Sequence, residues 1–167
     1  MKIELQKWTL DLKEDLIRIS NMVDRTYLSN KLPYPYTEQA ADWWLSMVFE
    51  HDEVDAVYRA ITVDGKVVGT ISIEQGEDVY CCDGEMGAFI IDECKSQGVM
   101  TEAVKQIMEI AFSKLKIERI TAKSCGPNLA AHKVLQKCGL TQEAVLRKAV
   151  RKYGKVYDLY VFGYVKD

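Results

Sequence analysis

The stretch from Cys81 to Leu115 constrains the fold more than any other part of the chain. Residues Cys81 to Ile91 read as a β run. The polar segment Asp92-Glu-Cys-Lys-Ser-Gln-Gly98 interrupts it, and Ala103, Val104, Ile107, Met108, Ala111, Phe112 and Leu115 then recur at helical spacing. A strand, a tight polar loop and a long amphipathic helix commit the chain to a mixed α/β arrangement. The same connection carries the strongest chemical signal. A helix N-terminus presents unpaired backbone N–H groups and a partial positive charge, which suits an anion such as a pyrophosphate. Gly98 can take φ > 0 and let a ligand approach the backbone, and Lys95 adds a cation beside the loop. The loop is neither a P-loop nor a GxGxxG dinucleotide fingerprint.

The flanking segments extend the pattern. Ile3 to Thr9 alternate like a strand, and from Asp11 a helical pattern places Leu12, Leu16, Ile19 and Val23 on one face. The prolines of Lys31-Leu-Pro-Tyr-Pro-Tyr-Thr37 hold that segment extended, and Thr37 caps a second helix running to about Glu50. Val54 to Val63 and Lys66 to Glu74 flank Asp64-Gly65, which suits a two-residue hairpin turn. Ile117 to Lys123 reads as a strand, Pro127 to Cys138 as a helix ended by Gly139, and Leu140 to Arg151 with Val156 to Val165 as a closing hairpin around Tyr153-Gly154. No repeat, low-complexity tract or linker interrupts this order, so one domain over residues 1–167 is expected.

Composition narrows the function classes. With 48% hydrophobic and 28% charged residues the chain has a globular balance, and no apolar run approaches the length of a membrane span. The N-terminal residues mix charge into every turn, so the expectation is a soluble, cytoplasmic protein without a membrane role. A net charge of −3 with no Lys/Arg block speaks against nucleic acid. The cysteines Cys81, Cys82, Cys94, Cys125 and Cys138 are odd in number and form no CxxC pair, so they read as reduced thiols, with no metal site.

Taken together the motifs resemble the GNAT superfamily of N-acetyltransferases, and within it the RimJ/RimL-like branch of ribosomal-protein N-terminal acetyltransferases. The matching segments are Leu32-Pro-Tyr-Pro-Tyr-Thr37 with Trp43-Trp44, Gly84-Glu-Met-Gly-Ala-Phe-Ile90 and Gln97-Gly-Val-Met-Thr-Glu-Ala103. Pro127-Asn128, Val134-Leu-Gln-Lys-Cys-Gly-Leu140 and Glu143-Ala-Val-Leu-Arg147 with Tyr157-Asp158 complete them. The resemblance implies a mixed, mostly antiparallel sheet flanked by helices, with its middle strands splayed. It implies that acetyl-CoA lies along the opened strand at Phe89, Ile90 and Ile91. Its pyrophosphate would meet Lys95, Ser96, Gln97, Gly98, Val99, Met100 and Thr101, and Asn128 would meet the pantetheine arm. Glu85 stands at the family's base position, and the backbone amide near Phe89 or Ile90 would polarise the thioester carbonyl. The family also often pairs into homodimers.

The chain departs from the family pattern at a few positions. Lys95 and Ser96 stand where Gln or Arg and then Gly are usual, Met100 replaces a small residue, and Ala131 and Leu135 occupy the places of the usual general acids. A missing acid matters less than a missing base. A CoA thiol resembles cysteine, with a pKa near ~8.5, and leaves tolerably at neutral pH, whereas an amine near pKa ~10 must lose a proton before it can attack. Tyr34, Tyr36 and Trp43 are candidate walls of an acceptor pocket, beside Trp44. His132 reads as a surface position of its helix, and His51 as a cation ending the second helix. The expected activity is acetyl transfer from acetyl-CoA to a primary amine, either a protein N-terminus or a small amine, by direct attack. The alternatives are a CoA-binding sensor or assembly module without turnover, suggested by Ala131 and Leu135, and a nucleotide-binding α/β module.

Overall fold

The structure is a computed structural model that describes every residue, Met1–Asp167. Its order is β1 (Ile3–Gln6), α1 (Lys13–Met22), α2 (Glu38–His51), β2 (Ala56–Val63), β3 (Lys66–Gln75), β4 (Asp83–Ile90), α3 (Val99–Lys114), β5 (Arg119–Cys125), α4 (Leu129–Lys137), β6 (Thr141–Lys152) and β7 (Lys155–Val165). Short 3-10 turns at Leu10–Leu12, Asp78–Tyr80 and Asp92–Cys94 join some of them. The first turn ends the opening strand at Gln6, short of the expected Thr9, and the second delays β4 to Asp83. The strands form one sheet in the order β1-β2-β3-β4-β5-β7-β6. Every neighbouring pair is antiparallel except β4 with β5. The mixed, mostly antiparallel α/β architecture is therefore as the sequence led one to expect.

Local chemistry sets the element ends. Both two-residue turns have positive φ at both central residues, 49° and 84° at Asp64-Gly65 and 49° and 77° at Tyr153-Gly154, which matches the right-handed twist of the paired strands. The Thr37 hydroxyl accepts the Ala40 N–H at 3.1 Å and caps α2. At the end of α4, Gly139 takes φ 88°, its N–H reaches Gln136 O at 3.1 Å and the Leu140 N–H reaches Leu135 O at 3.0 Å. That is a Schellman closure, which only a residue at ease in the left-handed region makes without strain.

Cross-strand partners share a face of the sheet, so the register sorts the side chains. Glu74, Ser72 and Thr70 of β3 pair with Glu85, Gly87 and Phe89 of β4, and Glu85 pairs with Thr121 of β5. This face carries α1 and α2: Trp44 of α2 meets Tyr58 at 5.9 Å, and Tyr58 pairs with Ser72. The opposite face carries α3 and α4. Phe112 of α3 lies 5.9 Å from Tyr164, and His132 of α4 stacks on Tyr160 at 4.7 Å. α3 buries Val99, Ala103, Val104, Ile107, Met108 and Ala111, a stripe recurring every three to four residues. Burying side chains the size of Val, Ile or Met contributes about 1.5–3 kcal/mol each, so this stripe anchors the helix whose N-terminus faces the site.

Candidate active site

The site begins where the sheet opens. β4 and β5 pair only from Asp83 with Arg119 to Met86 with Ala122, although β4 continues to Ile90 and β5 to Cys125. Beyond Met86 the strands diverge, so β4 has a free inner edge. Ile91 N–H donates to Val68 O at 2.9 Å, toward β3. Along an antiparallel strand the backbone groups alternate in direction, so Phe89 also turns its amide toward β3. Ala88 and Ile90 then turn theirs into the gap. Of the residues named from the sequence, Ile90 thus turns its amide away from β3, as does Ala88, which was not foreseen; Ala88 and Phe89 line the cavity that runs through the gap, and the buried Ile90 and Ile91 do not.

The loop expected to receive an anion lies at the start of α3. The Lys95 N–H reaches Asp92 O at 3.1 Å, and the next amide with a partner in the chain is that of Glu102, on Gly98 O at 3.1 Å. The amides of Ser96, Gln97, Gly98, Val99, Met100 and Thr101 between them donate to no group of the chain. Ser96 and Gly98 both have positive φ, 62° and 81°, a kind of backbone turn found where successive N–H groups receive an anion. The Gln97 side chain steadies the loop by donating to Glu93 O at 2.9 Å. Lys95 lies 2.8 Å from Asp92 and 4.0 Å from Asp24, so part of its charge is already answered. Val99 contributes only its amide, because its side chain belongs to the core.

From Met100, Val104 and Asn128 a cavity of about 1570 Å³ runs through the gap to the α1–α2 face. A single drug-sized ligand fills about 300–1,000 Å³, so this space has room for two reactants. Asn128 stands at the cap of α4 and not inside it. Its Oδ1 accepts the Ala131 N–H at 3.4 Å, which leaves the amide nitrogen free to donate. Ala131 and Leu135 also line the cavity and offer it only hydrocarbon. Of the aromatic residues named from the sequence, Tyr36, Trp43 and Trp44 line it. Tyr34 does not: its exposed ring sits under the Arg25 guanidinium, 4.8 Å away. Burial pushes the Tyr36 hydroxyl up to about 12, so it stays a neutral phenol.

Two carboxylates face each other on adjacent strands. Glu85 is exposed and bound to Lys123 at 2.9 Å, and it is not among the residues that line the cavity. Glu74, its partner in register, does line the cavity and accepts the Tyr58 hydroxyl at 3.0 Å. Burial, and then the neighbouring Glu74 charge, push the Tyr58 hydroxyl far above its ordinary value, so it remains a donor.

The sequence did not single out Glu74, Ser124 or Lys152, although all three line the cavity. Ser124 is 8% exposed and its hydroxyl has no partner in the chain. His132 is buried, not on the surface: its Nε2 lies 3.2 Å from Cys125 O and its ring packs against Tyr160 and Phe162. The five cysteines are unpaired, and burial raises the thiols of Cys94, Cys125 and Cys138, which keeps them protonated and poorly nucleophilic. No group of residues has the makings of a metal site, and no helix is long and apolar enough to cross a membrane.

Comparison with known proteins bears on this geometry. The family model described as an acetyltransferase (GNAT) domain matches residues 2–141. The chain is 34% identical over 91 residues to the Bacillus subtilis (strain 168) protein named "Probable N-acetyltransferase YjcK", a match covering 54% of this chain and 50% of that protein. It thus spans about half the length of that relative. The SPbeta prophage-derived N-acetyltransferase YokL of the same strain is 23% identical over 161 residues, which cover 92% of this chain and 86% of YokL. Among solved structures, RimL, a ribosomal L7/L12 alpha-N-protein acetyltransferase in complex with coenzyme A, superposes with a TM-score of 0.87 at 16% identity over 100% of this chain and 96% of its own. The microcin C7 self-immunity acetyltransferase MccE, in complex with acetyl-CoA and AMP, superposes at 0.82 with 19% identity over 98% and 92%. At such identities the likeness speaks for the fold.

Proposed function

The chain belongs to the GNAT acetyltransferase family, and on that premise we propose that it binds acetyl-CoA across the β4–β5 gap and transfers the acetyl group to a primary amine held on the α1–α2 face. The observation that carries this reading is the row of free amides from Ser96 to Thr101, in a loop whose Met100 lines a cavity that passes between the diverging strands. Those amides and the α3 dipole receive the pyrophosphate. Asn128 Nδ2, the orphaned Ser124 hydroxyl and the inner edge of β4 at Ala88 and Ile90 have the donors a pantetheine arm and a thioester carbonyl call for.

Acetyl-CoA supplies the activated acetyl group. The amine nitrogen attacks the thioester carbon with its lone pair, a C–N bond forms, the C–S bond breaks, and the Ile90 amide stabilises the charge developing on the carbonyl oxygen. The ammonium proton goes to a carboxylate. Glu85 holds the position suggested by the family, and it acts once the Lys123 ammonium is drawn away or through an intervening water. Glu74 is the second reading, favoured by its place in the cavity wall. The thiolate takes its proton from solvent, since Ala131 and Leu135 have none to give.

Calorimetry with acetyl-CoA, followed by thiol release against a panel of polyamines, amino acids and N-terminal peptides, tests the proposal. Binding with release for at least one amine supports it. Binding without release for any of them would favour a CoA-dependent sensor, the reading that Ala131 and Leu135 suggest.

A further inference from the structure

The wall of the cavity opposite β3 is positively charged, although the chain as a whole carries a net charge of −3. Lys152, at the tip of the β6–β7 hairpin, is 7% exposed. Its ammonium donates to Leu28 O at 2.7 Å and to Asn30 Oδ1 at 2.8 Å, both on the α1–α2 connection, and the Tyr153 ring lies 4.8 Å away. None of these partners is an anion. A buried ammonium without a counter-ion is expensive, because neutral dipoles only partly replace its lost hydration. Had this position only to tie the hairpin to the loop, a neutral amide would make the same two hydrogen bonds without that penalty.

Lys152 is not alone. Lys31 and Arg151 line the same wall, both exposed, and neither takes part in an ion pair of the chain. Lys123, the remaining lysine of the cavity, is answered by Glu85. The one carboxylate in the lining is Glu74 of β3, separated from β6 by the three strands β4, β5 and β7. The cavity is thus acidic at one end and basic, with unanswered charge, at the other.

Resting on the transferase reading above, we infer that the acceptor carries an anionic group, a carboxylate or a phosphate, several bonds from its amine. The amine lies toward Glu74 and Glu85, and the anion lies against Lys152 with Arg151 and Lys31 around it. Lys152 has one N–H beyond the two used by Leu28 and Asn30, enough for one charge-assisted hydrogen bond. Polyamines and aminoglycosides would place additional positive charge against this wall and are excluded.

The test uses the full chain. Thiol release is measured with glutamate, 2-aminoethyl phosphate and an acidic hexapeptide against butylamine, putrescine and spermidine. The same amines are titrated calorimetrically into CoA-saturated protein, a readout that needs no turnover. At least one anionic acceptor should exceed butylamine, which carries no anionic group, in kcat/KM and in affinity by at least tenfold, and which of the three does so separates carboxylate, phosphate and peptide. Arg151→Gln, at an exposed position, should raise KM for that acceptor at least threefold and leave the Kd of acetyl-CoA in place. Lys152→Gln should do the same more strongly. A preference for putrescine or spermidine would overturn the inference and leave the transferase reading standing. So would a loss confined to acetyl-CoA affinity, which would assign these cations to the phosphates of CoA. Charge-dependent binding of an anionic amine without thiol release would uphold the site and count against the transferase.

Discussion

Replacing Gly98 by alanine tests the cofactor site because the structure separates its two effects. Gly98 has φ 81°, and a Cβ added there would meet nothing within 4 Å. No clash with the protein arises, so the effect on folding is the left-handed backbone penalty alone, about 1–2 kcal/mol. For a chain of this size that lowers Tm by roughly 2–8 °C. Gly65 supplies the control, with φ 84° and equally open surroundings in the β2–β3 turn, outside the lining of the cavity. Gly65→Ala and Gly98→Ala should therefore lower Tm by similar amounts. Only Gly98→Ala adds a methyl group to the loop that bears the free amides of Ser96 to Thr101, where a phosphate would have to approach the backbone, and its Kd for acetyl-CoA should rise about tenfold, or about 1.4 kcal/mol. Gly98→Val should do so by more, since a β-branched side chain tolerates that φ still less. Calorimetry and a thermal melt on the same samples decide it. An acetyl-CoA affinity that stays unchanged in a folded Gly98→Ala, or falls equally in Gly65→Ala, would mean that the loop does not bind the pyrophosphate.

Other substitutions probe the remaining roles. Glu85→Gln and Glu74→Gln should differ at neutral pH: the variant that removes the base loses about 10²–10⁴-fold in kcat, a deficit that shrinks as pH rises toward the pKa of the amine, and near-normal turnover in both would remove both from the chemistry. Ser124→Ala should leave the Tm unchanged or slightly raised, because the hydroxyl has no partner in the chain, while weakening acetyl-CoA by about 0.5–1.5 kcal/mol; intact affinity would mean that the hydroxyl does not meet the cofactor. Cys94→Ser should keep kcat within about threefold, and an acetylated cysteine trapped by mass spectrometry would contradict direct attack. His51 is held above its ordinary value of 6.5 by its hydrogen bond to Asp55. A raised folded-state pKa adds stability that is complete below that ordinary value and lost as pH rises through the folded one, so Asp55→Asn should return the NMR titration toward 6.5 and weaken this dependence, Glu50 and Glu74 still contributing.

The sequence alone determined the element order, the hairpin turns, the Thr37 cap and the strand–loop–helix at Gly98, because each is written in neighbours a few residues apart. Period, capping and φ > 0 chemistry are local, and Asp64-Gly65, Gly139 and Gly98 all took the left-handed conformation for which such residues are suited. The tertiary structure decided what depends on register and on distant segments. That Ile90 and Ala88, and not Phe89, turn their amides into the gap follows from which residues of β4 bond to β3, a matter of pairing between residues about twenty positions apart. That Glu74 shares the cavity while Glu85 faces Lys123 is set by the register of β3, β4 and β5. Lys152 looked like any lysine of a polar hairpin until the tip folded onto Leu28 and Asn30 and took its ammonium out of water. The burial of that ammonium is set by partners 122 and 124 positions away along the chain, which no local period or turn signal reports.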